Sequence, residues 1–241
     1  MTRARAIVVV GALAFVVVVV IVGGGGCTLP GQPKGVSLEG QPSKVEDFAA
    51  LYASSCAGCH GENGRGGAAL GLDNVVYLAI ADDQTLRRII ATGVAGTSMP
   101  AFAQSAGGGL TDRQVDVIAR GIRTHWARAE TLSETPPPYV GPDGEARRGA
   151  GVFATFCASC HGSDGSDGPK SRSIVDGSYL ALVSAQSLRT LVIVGRPEIG
   201  QPDWRSDVPG RPLASQQIAD VVAWLISHRQ EFPGRPHARS R

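Results

Sequence analysis

The chain has 241 residues with a formal net charge of +2, and it contains 32 glycines, 15 prolines and only 5% aromatic residues. This length accommodates two small domains, each with a small hydrophobic core. Each domain would need a metal, a disulfide or a cofactor to stabilise its fold. Neither half of the sequence contains a basic stripe, which excludes nucleic acid as an expected partner.

Residues 1–27 are predicted to form an export signal or a membrane anchor. Two arginines precede an apolar run over residues 6–22, which is long enough to span a bilayer as a helix. Cys27 follows four glycines and resembles the processing site of a bacterial lipoprotein, at which lipid is attached to the cysteine. Gly26 fits that pattern but Gly24 does not, so a lipidated Cys27 and an uncleaved transmembrane helix both remain open. Either version places the chain at the cytoplasmic membrane, with the remaining residues on its extracytoplasmic side.

The first predicted domain, residues 44–130, follows a flexible tether over residues 28–43 that is rich in glycine, proline and serine. It contains the motif Cys56-Ala57-Gly58-Cys59-His60. Two thiols at this spacing can form thioether bonds with the two vinyl groups of one haem, and the adjacent histidine is then held under the iron as its proximal ligand. A redox dithiol and half of a zinc site are the alternatives, but a dithiol enzyme does not need the histidine.

The rest of the first domain is predicted to be helical. Apolar residues recur at helical spacing near residues 81–92 and again near residues 111–127, where Thr111 is a candidate N-cap. A proline-rich linker over residues 131–145 then leads to the second domain.

The second predicted domain, residues 146–241, repeats the first. Its motif, Cys157-Ala158-Ser159-Cys160-His161, is offset from the first motif by 101 residues, and the similarity continues downstream at offsets of 102 and then 103 residues. A zinc ribbon would place its second cysteine pair much closer to the first. Helices are predicted near residues 184–194 and 215–229, with Ser215 as a candidate N-cap. A single long period of this kind indicates a duplicated domain rather than a solenoid.

The two motifs and the repeat around them resemble the class I cytochrome c family, and specifically its tandem dihaem members, over about residues 45–126 and 146–229. The resemblance implies a mainly α fold, with two tandem small helical cytochrome c domains behind the N-terminal membrane anchor. It implies electron transfer rather than bond-making chemistry. It also implies two covalently attached haem c groups, bound through Cys56, Cys59, Cys157 and Cys160, with His60 and His161 as the proximal ligands of the irons.

The resemblance also indicates candidates for the sixth iron ligand. In this family a methionine in a loop before the last helix binds the far side of the iron, and Gly96-Thr97-Ser98-Met99-Pro100 resembles that loop. Met99 is the only methionine after the initiator, and it maps at an offset of 102 residues to Gln201. Because glutamine is a poor ligand for haem iron, the second site is expected to hold Gln201 weakly, to stay open or to recruit another side chain. The other candidates are His228, for which a helix-end role is favoured, His237 and Lys170.

Three functions are compatible with these residues. The first is electron transfer, as a shuttle or as a subunit of a respiratory or photosynthetic membrane complex, with redox proteins as partners. The second is a haem enzyme or small-ligand-binding protein that acts at a weakly ligated second haem on peroxide, a sulfur oxyanion or nitric oxide. Arg172, Arg196 and Arg205 are its candidate oxyanion ligands. The third is a structural role for the second haem within an interaction domain. No constellation of acid, base and distal histidine is recognisable near the second motif, which favours the electron carrier.

Overall fold

The computed structural model describes residues 42–127, 132–171 and 173–230. The predicted anchor, most of the tether and the candidate residues Cys27, Arg172 and His237 lie outside these ranges. Within them the chain forms ten α-helices and three short 3-10 helices, and it contains no β-strand. None of these described helices is both long and apolar enough to cross a membrane.

The ten helices of the described chain follow one another as two similar sets of five. The first repeat comprises α1 (Phe48–Ser55), α2 (Ala57–His60), α3 (Val75–Ile80), α4 (Asp83–Thr92) and α5 (Asp112–Trp126). The second repeat comprises α6 (Ala146–Phe156), α7 (Ala158–His161), α8 (Gly177–Leu182), α9 (Ala185–Val194) and α10 (Ser215–Ile226). The 3-10 helices are Pro42–Lys44, Gln104–Ala106 and Pro197–Ile199. Both repeats belong to one compact unit that begins at Val45, and the predicted mainly α fold is confirmed.

In each repeat the first helix crosses the last helix at a contact between a glycine and a bulky side chain. In the first repeat the ring of Phe48 lies so close to Gly121 of α5 that a Cβ atom on Gly121 would be 1.9 Å from Phe48 Cδ2. In the second repeat the sizes are exchanged, because Gly149 of α6 faces α10. A Cβ atom on Gly149 would lie 2.0 Å from Asp220 O and 2.7 Å from Trp224 Cβ. In the second crossing the helix backbones come close together, whereas in the first the ring of Phe48 fills the space that a side chain at position 121 would take.

Polar side chains at the N-termini of the helices accept hydrogen bonds from backbone N–H groups that would otherwise lack partners. The hydroxyl of Thr111 accepts from Gln114 N–H at 3.3 Å, and the Gln114 side chain accepts in return from Thr111 N–H at 2.9 Å. The predicted N-cap Thr111 is thereby confirmed. The predicted N-cap Ser215 is wrong, because Ala214 occupies that position and Ser215 is the first residue of α10. The Ser215 hydroxyl instead accepts a hydrogen bond from Arg189 Nη2 at 2.9 Å.

The short helices α3 and α8 are absent from the sequence-based prediction. Each contains six residues and begins at a side-chain cap, Asn74 for α3 and Asp176 for α8. A helix of this length contains too few apolar positions to show a period, and in isolation it would be only marginally stable. Packing against the rest of the repeat therefore stabilises both.

The proline-rich linker is held by α9. The guanidinium of Arg189 donates to Pro138 O at 2.8 Å and to Tyr139 O at 3.1 Å, and Gln186 Nε2 donates to Tyr139 O at 2.9 Å. Arg189 is only 5% exposed, so these backbone carbonyls provide the hydrogen bonds that a buried guanidinium requires. The linker is thereby fixed along the second repeat before it enters α6.

Candidate functional site

The two cysteine motifs adopt nearly the same backbone conformation. The first cysteine of each motif joins two helices, with φ and ψ of −123° and −39° at Cys56 and of −121° and −31° at Cys157. The second cysteine and the histidine then lie on the four-residue helices α2 and α7. The glycine after each histidine has a positive φ, 83° at Gly61 and 80° at Gly162, where a Cβ atom would collide with the following loop. Each motif is therefore followed by the same sharp change of direction.

The protonation state of the buried motif side chains argues against a redox dithiol. Two effects raise the pKa of Cys56 to about 11: mainly its burial, and to a smaller extent the neighbouring thiol of Cys59. Burial and the thiol of Cys160 raise the pKa of Cys157 to about 11 in the same way. A catalytic dithiol needs an attacking thiol whose pKa is lowered, towards the thiolate, and neither Cys56 nor Cys157 is such a thiol. Burial also lowers the pKa of both motif histidines, and neutral imidazole is the form that binds a metal.

Met99 and Gln201 occupy equivalent positions in the loops that follow α4 and α9. The backbone N–H of Val94 donates to Met99 O at 3.1 Å, and the backbone N–H of Arg196 donates to Gln201 O at 3.0 Å. The two pairings span the same number of residues. The structure therefore places Gln201 at the point of the second repeat that Met99 occupies in the first.

In the second repeat the motif and Gln201 line one cleft. Cys157, Cys160 and His161 border it together with mostly apolar side chains, and its empty volume, including the part open to solvent, is about 890 Å³. The cleft therefore fits a haem attached through its cysteine pair.

Two family models match the chain. Residues 43–120 match the model described as Cytochrome C oxidase, cbb3-type, subunit III, and residues 146–229 match the model described as Cytochrome c. The chain belongs to the class I cytochrome c family. It is a dihaem cytochrome with two covalently bound haem c groups, for which Cys56 with Cys59 and Cys157 with Cys160 form the attachment pairs. Among solved structures, a chain of the Kuenenia stuttgartiensis reducing HAO-like protein complex aligns at 17% identity with a TM-score of 0.47, over 77% of this chain and 97% of that chain.

The two motif histidines of the dihaem cytochrome differ in their hydrogen bonds. His60 Nδ1 donates to Leu70 O at 2.7 Å, which fixes the tautomer and the ring and leaves the Nε2 lone pair as the one that could bind a metal. His161 Nδ1 is buried and has no partner in the part of the chain that the structure describes. Sequence reasoning missed this difference because the acceptor is a backbone carbonyl. The only sign of this difference in the sequence is that the spacing between matching residues of the two repeats increases from 101 at the second motif to 102 at Tyr179.

The other described ligand candidates do not line the cleft of the dihaem cytochrome. His228 Nδ1 donates to Trp224 O at 2.9 Å, and His125 Nδ1 makes the equivalent bond to Gly121 O at 2.9 Å. Both side chains thus satisfy carbonyl groups near the C-terminal ends of the last helices, which is the role favoured for His228. Lys170 is exposed and is not among the lining residues.

Proposed function

We propose that this dihaem cytochrome passes single electrons between redox proteins through two haems of unequal reduction potential. The observation that carries the proposal is the equivalent position of Met99 and Gln201, which the same backbone pairing fixes in the two loops. His60 and Met99 are the axial ligands of haem 1 in this proposal, and His161 is the proximal ligand of haem 2, with Gln201 opposite it. The haem supplies an iron that cycles between its ferrous and ferric states.

The loop around Met99 is built to hold a thioether in a defined position. Thr97 Oγ1 donates to Val94 O at 2.8 Å and accepts from Met99 N–H at 3.1 Å. Methionine opposite histidine raises the reduction potential of a haem, because soft sulfur favours the ferrous state. Haem 1 is therefore the centre of higher potential.

Gln201 gives haem 2 a different environment. Its Nε2 donates to Leu191 O at 3.2 Å, and an amide offers iron only a hard oxygen, which stabilises ferrous iron less than sulfur does. Haem 2 is therefore the centre of lower potential. Electrons enter at haem 2 and rest on haem 1, an order that suits a one-way relay to an acceptor of high potential.

Contacts between the repeats support electron transfer within one chain. Helix α3 packs against α9, and Arg196 Nη1 donates to Ala68 O at 3.4 Å. Ala68 lies two residues before Leu70, whose carbonyl accepts a hydrogen bond from His60. The backbone N–H of Arg196 donates a hydrogen bond to Gln201 O. Residues 68–70, the side chain of Arg196 and its backbone N–H thus form a path from His60 to Gln201, the residues that would hold the two haems.

The proposal includes a location at the cytoplasmic membrane, with both haems on its extracytoplasmic side. The apolar run over residues 6–22 and Cys27 support it, as does the attachment of haem c, which takes place outside the cytoplasm. The description of the first family model, a subunit of a cbb3-type oxidase, supports a place in or beside a respiratory membrane complex.

The cleft that Gln201 lines favours a second function, the binding of a small ligand at haem 2. Sulfur oxyanions are poor candidates, because the two described arginines considered as their ligands are already paired. Arg196 forms an ion pair with Glu198, and Arg205 Nη2 lies 2.5 Å from Asp203 Oδ2. A small ligand that does not require a free cation is the better fit.

A potentiometric titration of the purified full chain, followed by optical spectra, tests the electron-transfer proposal. We expect two centres that titrate at different potentials, with carbon monoxide binding the ferrous protein only at the centre of lower potential. A second haem that does not cycle at accessible potentials would instead indicate the structural role. Two indistinguishable spectra of the methionine-ligated type would contradict the assignment of Gln201.

A further inference from the structure

The proximal histidines differ in a way that goes beyond the exchange of Met99 for Gln201. His60 Nδ1 donates to Leu70 O at 2.7 Å, whereas His161 Nδ1 is buried without a partner among the described residues. A hydrogen bond at Nδ1 orients the ring and makes Nε2 a more basic metal ligand. His161 is therefore a weaker and less firmly oriented iron ligand than its counterpart in the first repeat.

The length of the loop after each motif explains the missing partner. Two backbone hydrogen bonds close each loop, with N···O distances between 2.7 and 3.3 Å. In the first repeat their donors are Ala69 and Leu72, three residues apart, and a carbonyl between them accepts from the histidine. In the second repeat the matching donors are Lys170 and Ile174, four residues apart. The extra residue displaces the carbonyl that would accept from His161.

We propose that haem 2 is a binding site for neutral diatomic ligands that accept π electrons from ferrous iron, and that nitric oxide releases His161 from the iron. The inference rests on the proposed function for the axial positions of His161 and Gln201. Nitric oxide weakens the bond opposite to it, so a histidine that lacks an acceptor at Nδ1 is the one that leaves. The Fe–NO bond forms and the bond from iron to His161 Nε2 breaks, without any oxidation or reduction.

The lining of the cleft selects a small neutral ligand over an anion. Its charged side chains are Asp203, which pairs with Arg205, and Asp207, and no lysine or arginine of the described chain lines it. The remaining surface is mostly apolar. No lysine or arginine is there to offset the hydration that an anion would lose at the iron, whereas a neutral diatomic molecule has little hydration to lose.

Nitric oxide added to the dithionite-reduced full-length dihaem protein tests the inference, with electron paramagnetic resonance as the readout. We expect the haem 2 signal to be split by the nitrogen of nitric oxide alone, because His161 has left. The matched control is Met99→Ala, which opens haem 1 while the hydrogen bond between His60 and Leu70 remains. Its haem 1 signal should be split by the nitrogens of both nitric oxide and histidine.

A second variant restores the loop length. Replacing residues 171–174 with the three residues Leu-Gly-Leu of positions 70–72 should return a carbonyl to His161 and convert the haem 2 signal to the type split by two nitrogens. A wild-type haem 2 signal already split by both nitrogens would overturn the inference but leave the axial assignment intact, and loss of histidine at both haems would overturn the role of the hydrogen bond. If haem 2 takes up neither nitric oxide nor carbon monoxide, the inference and the weak sixth ligand of the proposed function both fail.

Discussion

Single side chains distinguish two haem sites whose backbones are nearly alike. The first cysteines of the motifs have φ and ψ within about 10° of each other, which is smaller than the usual scatter within regular structure. The backbone pairings that place Met99 and Gln201 differ by only 0.1 Å in N···O distance. We therefore expect differences in potential and ligand binding to come from the side chains at these positions and from the loop length that sets the partner of each histidine.

Replacing Gln201 with methionine should make haem 2 resemble haem 1. We expect the potential of haem 2 to rise by on the order of 0.1 V, within the span of about 0.8 V over which axial ligands tune haem, and carbon monoxide binding to be lost. Potentiometry and carbon monoxide difference spectra measure both effects. The reciprocal control, Met99→Gln, should lower the potential of haem 1 and open it to carbon monoxide. A Gln201→Ala protein with an unchanged haem 2 spectrum would show that Gln201 does not touch the iron.

At the crossing of the first and last helices, one helix carries an aromatic residue and the other a glycine, and the two repeats place them on opposite helices. The first repeat places a ring at Phe48 and a glycine at Gly121, whereas the second places a glycine at Gly149 and a ring at Trp224. The ring of Trp224 stacks on Phe153 with centroids 4.2 Å apart. The duplicated domain thus preserves close helix packing although the large and small residues have changed helices.

Gly149→Ala should destabilise the second repeat, because the new Cβ atom would lie 2.0 Å from Asp220 O. The helices would have to separate, and we expect a loss of about 1–3 kcal/mol in the free energy of unfolding, measured by chemical denaturation of the holoprotein. Gly151→Ala is the matched control, since it lies in the same helix with no atom within 4 Å of the added Cβ. It should be neutral or stabilising by about 0.5–1 kcal/mol. Equal effects of the two substitutions would contradict close packing at Gly149.

Hydrogen bonds join the two repeats in addition to the covalent linker. Arg189 binds the linker carbonyls of Pro138 and Tyr139, and Arg196 of the second repeat reaches Ala68 of the first. These contacts keep the two haem sites within one compact unit. Electron transfer between the sites then does not depend on an encounter between separate domains.

We expect the full chain to fractionate with membranes when it is produced in a bacterium that attaches haem c. Intact mass then distinguishes a chain that begins at a lipidated Cys27 from one that retains Met1. Cys27→Ser is the control, because it should block lipid attachment and cleavage in the first form, so that the chain retains Met1, and should leave the processing of the second form unchanged. A soluble product that has lost residues 1–27 and carries no lipid would contradict both versions.

The long helices were predictable because their signal is local. The predictions near residues 81–92 and 184–194 correspond to Asp83–Thr92 and Ala185–Val194, where apolar residues recur along one face. The N-cap at Thr111 was predictable for the same reason, since its partner Gln114 is three residues away. Ser215 failed as an N-cap because its hydroxyl is engaged by Arg189, which is distant in the sequence.

The order of residues alone establishes the two attachment motifs, the duplication and the replacement of Met99 by Gln201, because each is a matter of residue type and spacing. Tertiary structure decides that these two residues are equivalent in space and that, of the two motif histidines, His60 alone has an acceptor for Nδ1 among the described residues. It also decides which atoms of the opposite helix Gly121 and Gly149 contact at the helix crossings. These features depend on the direction of backbone carbonyls and on the approach of helices far apart in the sequence, and no local pattern of side chains encodes either one.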